Sequence, residues 1–320
     1  MRKIILLAML AVMVPFTAVA GPSANFQVEE SKEAYSSERF TLGLQTGLAN
    51  GTAHELVYFG NHKLSELIWD IKNVFMVEGN VSALLVPSWG LRLNASVSSM
   101  VNKQDSTMDD YDWFIIGADW THWSHHGNTT LERALTFDVN LSKSLYSDKS
   151  GAFQLNGELG FKRDNWRWSA SGGSFIYSVA GFRDTTGVFA NIPVISYEQT
   201  INTPYIGASA SYREENFSLF FAVSGSPFVY AEAVDHHYLR NLVFTDTFSS
   251  GRMVNVDLSY AYHMTKALSF GIAYAYQNYD MNRGDTVVVN QVTGATSSSF
   301  DSAGMDLTYH KVGFGAAYTF

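Results

Sequence analysis

Two short acidic segments carry the residues of this sequence that are best suited to acid–base chemistry. Asp110 and Asp112 are two positions apart, and so are Asp235 and His237. On a β-strand, residues separated by two positions point to the same face. If both segments are extended and face one cavity, three carboxyl groups and one imidazole converge there. Such a set predicts a site that moves protons without a metal ion or a cysteine.

Each pair has its own chemical capacity. An imidazole oriented by a carboxylate, as Asp235 would orient His237, acts as a general base near neutral pH. Two neighbouring carboxyl groups repel each other when ionised, so one of Asp110 and Asp112 would hold a proton more tightly. Together the pairs could activate a water molecule and protonate a leaving group. The same spacing also occurs on solvated loops and strands, so spacing alone leaves both interpretations open.

The beginning of the chain predicts an export signal. Met1-Arg2-Lys3 is followed by an apolar run over residues 4–16 and by Ala18-Val19-Ala20. A basic start, a short apolar core and a small-residue site are typical of a secretory signal peptide, and a spanning helix would need roughly 20 apolar residues. We predict a removable signal peptide over residues 1–20 and one domain over residues 21–320. Removal of its two basic residues takes the formal net charge from −9 to −11, which argues against nucleic acid as a partner.

Periodicity indicates many half-buried strands. Apolar and polar residues alternate over 91–98, and similar alternation recurs at 135–142, 153–161, 254–262 and 268–276. Aromatic residues, 14% of the chain, stand at the ends of several apolar stripes, as in the interfacial girdles of membrane barrels. This placement favours a membrane barrel over a soluble sandwich.

The connections fit the same fold. Some are short, at 214–216 and 265–266, whereas polar segments at 179–192, 244–252 and 281–302 predict long loops. Short turns at one end and long loops at the other are typical of outer-membrane barrels. We therefore predict an all-β fold: a single ten-stranded antiparallel transmembrane β-barrel with long extracellular loops and short periplasmic turns.

At the level of motifs, the sequence resembles the omptin family of outer-membrane aspartate/histidine endopeptidases. The resemblance covers nearly all of residues 21–320, and its pieces are Asp110-Tyr111-Asp112-Trp113, Trp120-Thr121-His122, Gly172-Gly173-Ser174-Phe175-Ile176-Tyr177-Ser178, Pro204-Tyr205-Ile206-Gly207, Asp235-His236-His237-Tyr238 and Tyr318-Thr319-Phe320. It implies a ten-stranded barrel in the bacterial outer membrane, with an endopeptidase site that faces the cell exterior. It also implies proteins or peptides with basic residues as substrates, among them host proteins and cationic peptides.

The resemblance assigns roles to the two pairs. Asp235 and His237 would activate the attacking water, and Asp110 and Asp112 would stabilise or protonate the tetrahedral intermediate. His126 matches a further histidine near the family's site. No metal or organic cofactor is implied.

The predicted cleavage preference comes from three other positions. Glu55 matches the acidic floor of the pocket for the residue before the scissile bond, whereas Ala233 replaces the second acid that relatives carry there. His122 aligns with a position that is acidic in some members, in the pocket after the bond. We predict Arg or Lys before the scissile bond and little need for a second basic residue after it.

Lipopolysaccharide is a further partner that the resemblance implies. Omptins require it and bind its phosphates through basic residues, but two of those positions here are Asn165 and Thr200. Arg163 and Arg167 share a strand face with Asn165 by parity and would replace the missing charges.

Three other functions fit such a barrel to different degrees: adhesion, transport and lipid hydrolysis. An adhesin or host-protein receptor without proteolysis fits the polar loops, but it gives no reason for the four acid–base residues. A porin-like channel requires about 16 strands. A lipid hydrolase requires a serine–histidine–acid arrangement, for which the sequence offers no convincing nucleophile motif.

Overall fold

The computed structural model describes residues 40–320, and almost all of that segment is extended. The predicted signal peptide, residues 1–20, lies outside the described residues. Two short 3₁₀ turns lie at Pro87–Trp89 and Tyr238–Arg240. The strands are β1 (Phe40–Phe59), β2 (His62–Val86), β3 (Leu91–Met100), β4 (Gln104–Asp112), β5 (His122–Ser147), β6 (Phe153–Ser171), β7 (Ser174–Tyr177), β8 (Thr185–Val188), β9 (Pro193–Arg213), β10 (Phe217–Ser226), β11 (Tyr230–His237), β12 (Leu242–Phe248), β13 (Gly251–His263), β14 (Leu268–Met281), β15 (Gly284–Asn290) and β16 (Thr296–Thr319).

Antiparallel pairing closes these strands into a ring of ten positions. Some positions in the ring hold two consecutive strands that lie end to end. These are β3 with β4, β10 with β11, β12 with β13, and β14 with β15. The ring closes where β1 pairs with β16, from Thr41 opposite Thr319 to Val57 opposite Ala303. The predicted ten-stranded antiparallel barrel is confirmed. Within residues 40–320, no helix is long and apolar enough to cross a bilayer.

The lower half of the barrel, the end at which Phe40 and Phe320 meet, is apolar outside and polar inside. Its outward side chains include the exposed Leu44, Leu159 and Phe314. Its interior is filled by buried polar side chains, which include Lys162 and Lys311. This inversion of a soluble protein's pattern is what a lipid-facing barrel requires.

The polar interior of the lower half is bonded together. Lys311 Nζ donates to Glu78 Oε2, and both side chains are almost completely buried. Lys162 Nζ lies 3.4 Å from Asp138 Oδ2 and donates to Gln277 Oε1 at 3.1 Å. These bonds satisfy charged groups that would otherwise be costly to remove from water.

The strands continue far above the apolar band. β2 has 25 residues and β5 has 26, whereas a tilted strand crosses a bilayer in about 9–11. Much of the segments 244–252 and 281–302 is strand, so the prediction of long loops there was wrong. Outside the hydrocarbon, outward residues need not be apolar, and the alternation that marks a membrane strand disappears. The connections at this end are short at 60–61, 238–241 and 291–295 and longer at 113–121 and at 172–192, which contains the β7–β8 hairpin.

A layer of buried aromatic side chains separates the polar lower interior from the upper end. Trp69 stacks on Tyr197 at 5.6 Å between ring centroids, and Trp166 lies 6.1 Å from Trp168. Tyr309 contacts Trp166 edge-on at 4.6 Å. All five are at most 2% exposed. This layer therefore forms the bottom of the upper interior of the barrel.

The buried lysine of the lower interior provides a stability test. Lys311→Ala leaves the Glu78 carboxylate buried without its cation, and we expect a loss of about 3–5 kcal/mol in the free energy of unfolding. The double change Lys311→Met with Glu78→Leu removes both charges and should recover most of that loss. Urea unfolding of the refolded barrel measures both, with Lys266→Ala in an exposed turn as the control. An unchanged unfolding midpoint for Lys311→Ala would show that the ion pair contributes nothing.

Candidate active site

Two strands on nearly opposite sides of the ring carry the predicted acid–base residues. β4 places Asp110 and Asp112 between β2 and β5, with Asp110 opposite Leu67 and Ser124. β11 places Asp235 and His237 between β9 and β12. All four side chains line one cleft of about 380 Å³ at the upper end of the barrel. The parity argument therefore placed each pair on the inner face.

Asp235 and His237 are in direct contact. Asp235 Oδ2 contacts His237 Nε2, and the carboxylate is almost fully buried while the imidazole is 20% exposed. Since a carboxylate only accepts hydrogen bonds, a hydrogen bond along this contact would have Nε2 as its donor and would leave the lone pair on Nδ1. Phe244 packs edge-on against the imidazole at 5.0 Å. The imidazole is thus held between the Asp235 carboxylate and the Phe244 ring.

An arginine that sequence reasoning missed covers the histidine. Arg240 Nη2 bonds to His237 Nδ1 from the turn that follows β11. The Arg240 side chain also lines the cleft, and its charge acts on both Asp110 and Asp112. Arg240 lies three residues beyond His237, and only its proximity to the predicted dyad could have drawn attention to it.

The opposing carboxyl couple is buried and electrostatically coupled. Burial and the neighbouring Asp112 carboxylate raise the pKa of Asp110 well above its ordinary value, against a hydrogen bond from Ser65. Ser65 Oγ donates to Asp110 Oδ1 at 3.2 Å. Burial raises the pKa of Asp112 to about 6, although Ser65, Arg240 and His237 oppose the shift. The couple can therefore hold a proton near neutral pH.

Glu55 lies beside the dyad, on β1. Burial raises the pKa of Glu55 well above its ordinary range, and the charges of Asp235, Asp246 and Asp110 raise it further. Among the described residues, no hydrogen-bond donor reaches Glu55 Oε2. Ala233 is buried two residues before Asp235 and does not line the cleft.

Asp246 is a second residue that sequence reasoning missed. It lies on β12 directly opposite Ala233, in the segment 244–252 that was predicted to be a loop. Burial raises its pKa to about 6, a hydrogen bond from Thr286 opposes the shift, and the charge of Asp235 adds to it. Cross-strand register, which the sequence does not reveal, was the missing signal.

The three histidines of β5 have different surroundings. His126 lines the cleft, where its Nδ1 donates to the Gly172 carbonyl oxygen at 2.6 Å, and burial lowers its pKa. His122 packs between Phe114 and Tyr177, and partial burial lowers its pKa too. His125 points away from the cleft and contacts Asp109 at 2.9 Å.

A glycine pair shapes the wall next to His126. Gly172 and Gly173 have φ values of +60° and +114°, a region that favours glycine. A Cβ atom on Gly173 would lie 2.6 Å from the His125 carbonyl oxygen and 2.7 Å from His126 Nδ1. The motif that begins at Gly172 therefore lets the backbone close over the histidine.

The predicted lipopolysaccharide residues lie elsewhere, on the outer wall. Arg163 donates to Asn202 Oδ1 at 2.7 Å, and Arg167 lies 3.8 Å from Glu132. Arg133, opposite Arg167 in register, joins them. Asn165 between these arginines donates to Thr200 Oγ1 at 2.9 Å. Across residues 40–320, no group of three or more potential ligands is arranged to hold a metal ion.

Comparison with known proteins identifies the family. A family model described as the Omptin family matches residues 36–320. The chain belongs to the omptin family. This omptin is 29% identical to the plasminogen activator of Yersinia pestis, over 97% of this chain and 99% of that protein. It is 28% identical to the outer membrane protease OmpP of Escherichia coli (strain K12), over the full length of both.

A solved structure supports the same assignment. The crystal structure of the outer membrane protease OmpT from Escherichia coli matches this omptin with a TM-score of 0.85 and 25% identity, over 92% of this chain and all of that one. The chain is thus an omptin-type endopeptidase of the bacterial outer membrane. Family membership decides for a protease among the functions that the sequence left to consider.

The raised pKa of Asp112 predicts a pH-dependent stability. Its folded pKa of about 6 exceeds the ordinary 3.8, so the folded state binds the proton more tightly than the unfolded state. This contribution to stability is complete below about pH 4 and is lost as the pH rises through 6. We expect Asp112→Asn, which cannot ionise, to flatten the fall in unfolding midpoint between pH 4 and 7. The exposed Asp105 on the same strand provides the control, Asp105→Asn, and equal slopes in both variants would contradict the assignment.

Proposed function

We propose that this omptin cleaves peptide bonds after Arg or Lys, with a water molecule activated by Asp235 and His237 opposite the Asp110–Asp112 couple. The observation that carries the proposal is the convergence of both pairs on one cleft, with His237 held by Asp235. Water attack on a peptide requires a base on one side of the carbonyl and a proton or positive dipole on the other. The cleft offers both.

The proton path follows from the orientation of the groups. With Nε2–H directed to Asp235, His237 Nδ1 accepts the proton of a water that approaches from the cleft. Arg240 bonds to that nitrogen, so its guanidinium must move aside when substrate enters. The Asp110–Asp112 couple, which holds a proton near neutral pH, donates it to the oxyanion or to the leaving amine.

The charge of the cleft supports a basic residue before the scissile bond. Its lining includes the carboxyl groups of Glu55, Asp110, Asp112 and Asp235, with Arg240 as the one Arg or Lys among the lining residues of the described chain. A substrate guanidinium or ammonium would neutralise carboxylates that burial otherwise penalises. His122, where some relatives carry an acid, gives no reason for a second basic residue after the bond. The cleft therefore suits host proteins or cationic peptides cut after a single Arg or Lys.

The position of the cleft supports activity on the cell exterior. The apolar band lies in the lower half of the barrel, and the short turns 148–152 and 214–216 connect the strands there. Outer-membrane barrels place short turns in the periplasm and longer connections outside, and the longer connections of this barrel, 113–121 and 172–192, lie at the upper end. The upper end, with the cleft, would then project into the medium.

The dyad is tested on a quenched-fluorescent peptide with one central Arg. We expect the refolded protein to cut it and both His237→Ala and Asp235→Ala to lose about three orders of magnitude or more in kcat/KM, because the general base is removed or disoriented. His236→Ala is the matched control, since His236 is the adjacent histidine on the opposite strand face. Cleavage that survives both dyad substitutions would place the base elsewhere.

Lipopolysaccharide would bind the basic patch on the outer wall, formed by Arg133, Arg163 and Arg167. These arginines lie just above the outward Phe137 and Phe161 on the same strands, at the height expected for lipid headgroup phosphates. Arginine matches a phosphate through two parallel hydrogen bonds. The patch also contains Glu132 and Glu198, which reduce its net charge.

This lipid contact predicts a shifted activation curve. Arg163→Ala with Arg167→Ala should raise the lipopolysaccharide concentration for half-maximal peptide cleavage by about tenfold, because two charge-assisted contacts are lost. Arg252→Ala, which removes an exposed arginine paired with Asp280 on another strand, should leave the curve unchanged. If the parent cleaves the peptide at the same rate with and without lipopolysaccharide, the proposed requirement is refuted.

A further inference from the structure

Asp246 lies next to Ala233, the position at which relatives carry the second acid of the pocket for the residue before the scissile bond. Ala233 and Asp246 are direct cross-strand partners on β11 and β12, so their side chains share the inner face. Asp246 is 6% exposed and Ala233 only 1%. The short Ala233 side chain adds no charge and little volume between β12 and the cleft.

Asp246 is held in place by one neutral neighbour. Thr286 Oγ1 donates to Asp246 Oδ1 at 2.6 Å, across the register that pairs β12 with β15. The same carboxyl faces the dyad, since Asp235 lies diagonally across on β11. Thr286 thus orients Asp246 without supplying a positive charge.

Within the described part of the chain, Glu55, Asp235 and Asp246 form a buried acidic cluster that contains no lysine or arginine. Glu55, Asp235 and Asp246 are all buried, and the charge of Asp246 is felt at Glu55. No lysine or arginine among the described residues forms an ion pair with any of the three. His237 contacts Asp235 alone, so the other buried acids either take up protons or receive a cation from outside.

We infer that Asp246 is a specificity-determining residue, which supplies from β12 the second negative charge of the pocket for a substrate arginine. The inference rests on the proposed function and refines it. Glu55 lines the cleft and makes the direct contact, while Asp246 acts from one layer deeper, below Phe244 on the same strand face. A guanidinium spreads its charge over a planar fork and suits two separated carboxylates, whereas an ammonium is a point charge. The pocket should therefore favour Arg over Lys.

The test compares three peptides that differ only before the scissile bond: Arg, Lys and citrulline, the neutral isostere of Arg. We expect Asp246→Asn to lower kcat/KM for the Arg peptide by about ten- to a hundredfold and to change the citrulline peptide less than threefold. Thr286→Val, which frees Asp246 without removing its charge, should lower the Arg preference by only a few-fold. Asp280→Asn, on the outer wall, is the control for a lost acid.

A double variant that transplants the carboxylate from β12 to β11 separates the loss of charge from a folding defect. Ala233→Asp with Asp246→Ala moves the carboxylate across the strand pair and should restore the preference for Arg over citrulline. Barrel assembly of every variant is checked by its heat-dependent mobility in detergent electrophoresis. A variant that fails to assemble is replaced by this transplant in the comparison.

The outcomes separate this inference from the proposed function. Equal losses for the Arg and citrulline peptides in Asp246→Asn would show that Asp246 positions Asp235 and does not select the substrate, which overturns the inference. An unchanged Arg-to-citrulline ratio in Asp246→Asn would overturn it as well. A parent protein that cuts citrulline and Arg peptides equally would instead refute the proposed basic preference.

Discussion

Closure of the backbone hydrogen-bonding ring is the constraint on which the rest of this molecule depends. In hydrocarbon no water is available to satisfy an open sheet edge, so β1 must find β16 although they lie at opposite ends of the described chain. Once closed, the ring fixes the register of every strand. That register sets Asp110 across the cleft from Asp235 and Asp246 opposite Ala233. Rigid walls therefore replace the loops on which many enzymes carry their catalytic groups.

The pairing of buried charges differs between the lower half of the barrel and the cleft. In the lower half, buried lysines meet buried acids, as with Lys311 and Glu78. In the cleft, carboxyl groups accumulate, and Arg240 is the one Arg or Lys among the lining residues that the structure describes. Such an imbalance costs folding free energy, and a functional site is where a protein retains this kind of cost. The aromatic layer between the two regions keeps these environments apart.

Different parts of this structure were predictable from the sequence to different degrees. The lower strands were visible because lipid outside and polar groups inside impose alternation, as at residues 91–98. The upper strands at 244–252 and 281–302 were not, since water on the outer wall removes the apolar half of the pattern. The pairs Asp110/Asp112 and Asp235/His237 were found because parity along one strand is a local property. Asp246 and Arg240 were missed because cross-strand register and the path of a turn are properties of the assembled barrel.

The aromatic floor below the cleft has a consequence for permeability. Trp69, Trp166, Trp168, Tyr197 and Tyr309 are at most 2% exposed, and close-packed interiors have few voids larger than a water molecule. We therefore expect the lumen to be closed to ions and small solutes at the height of this layer. A cell can carry many copies without dissipating its gradients. The acids of the cleft also equilibrate with the pH of one compartment only, whatever the pH on the other side of the membrane.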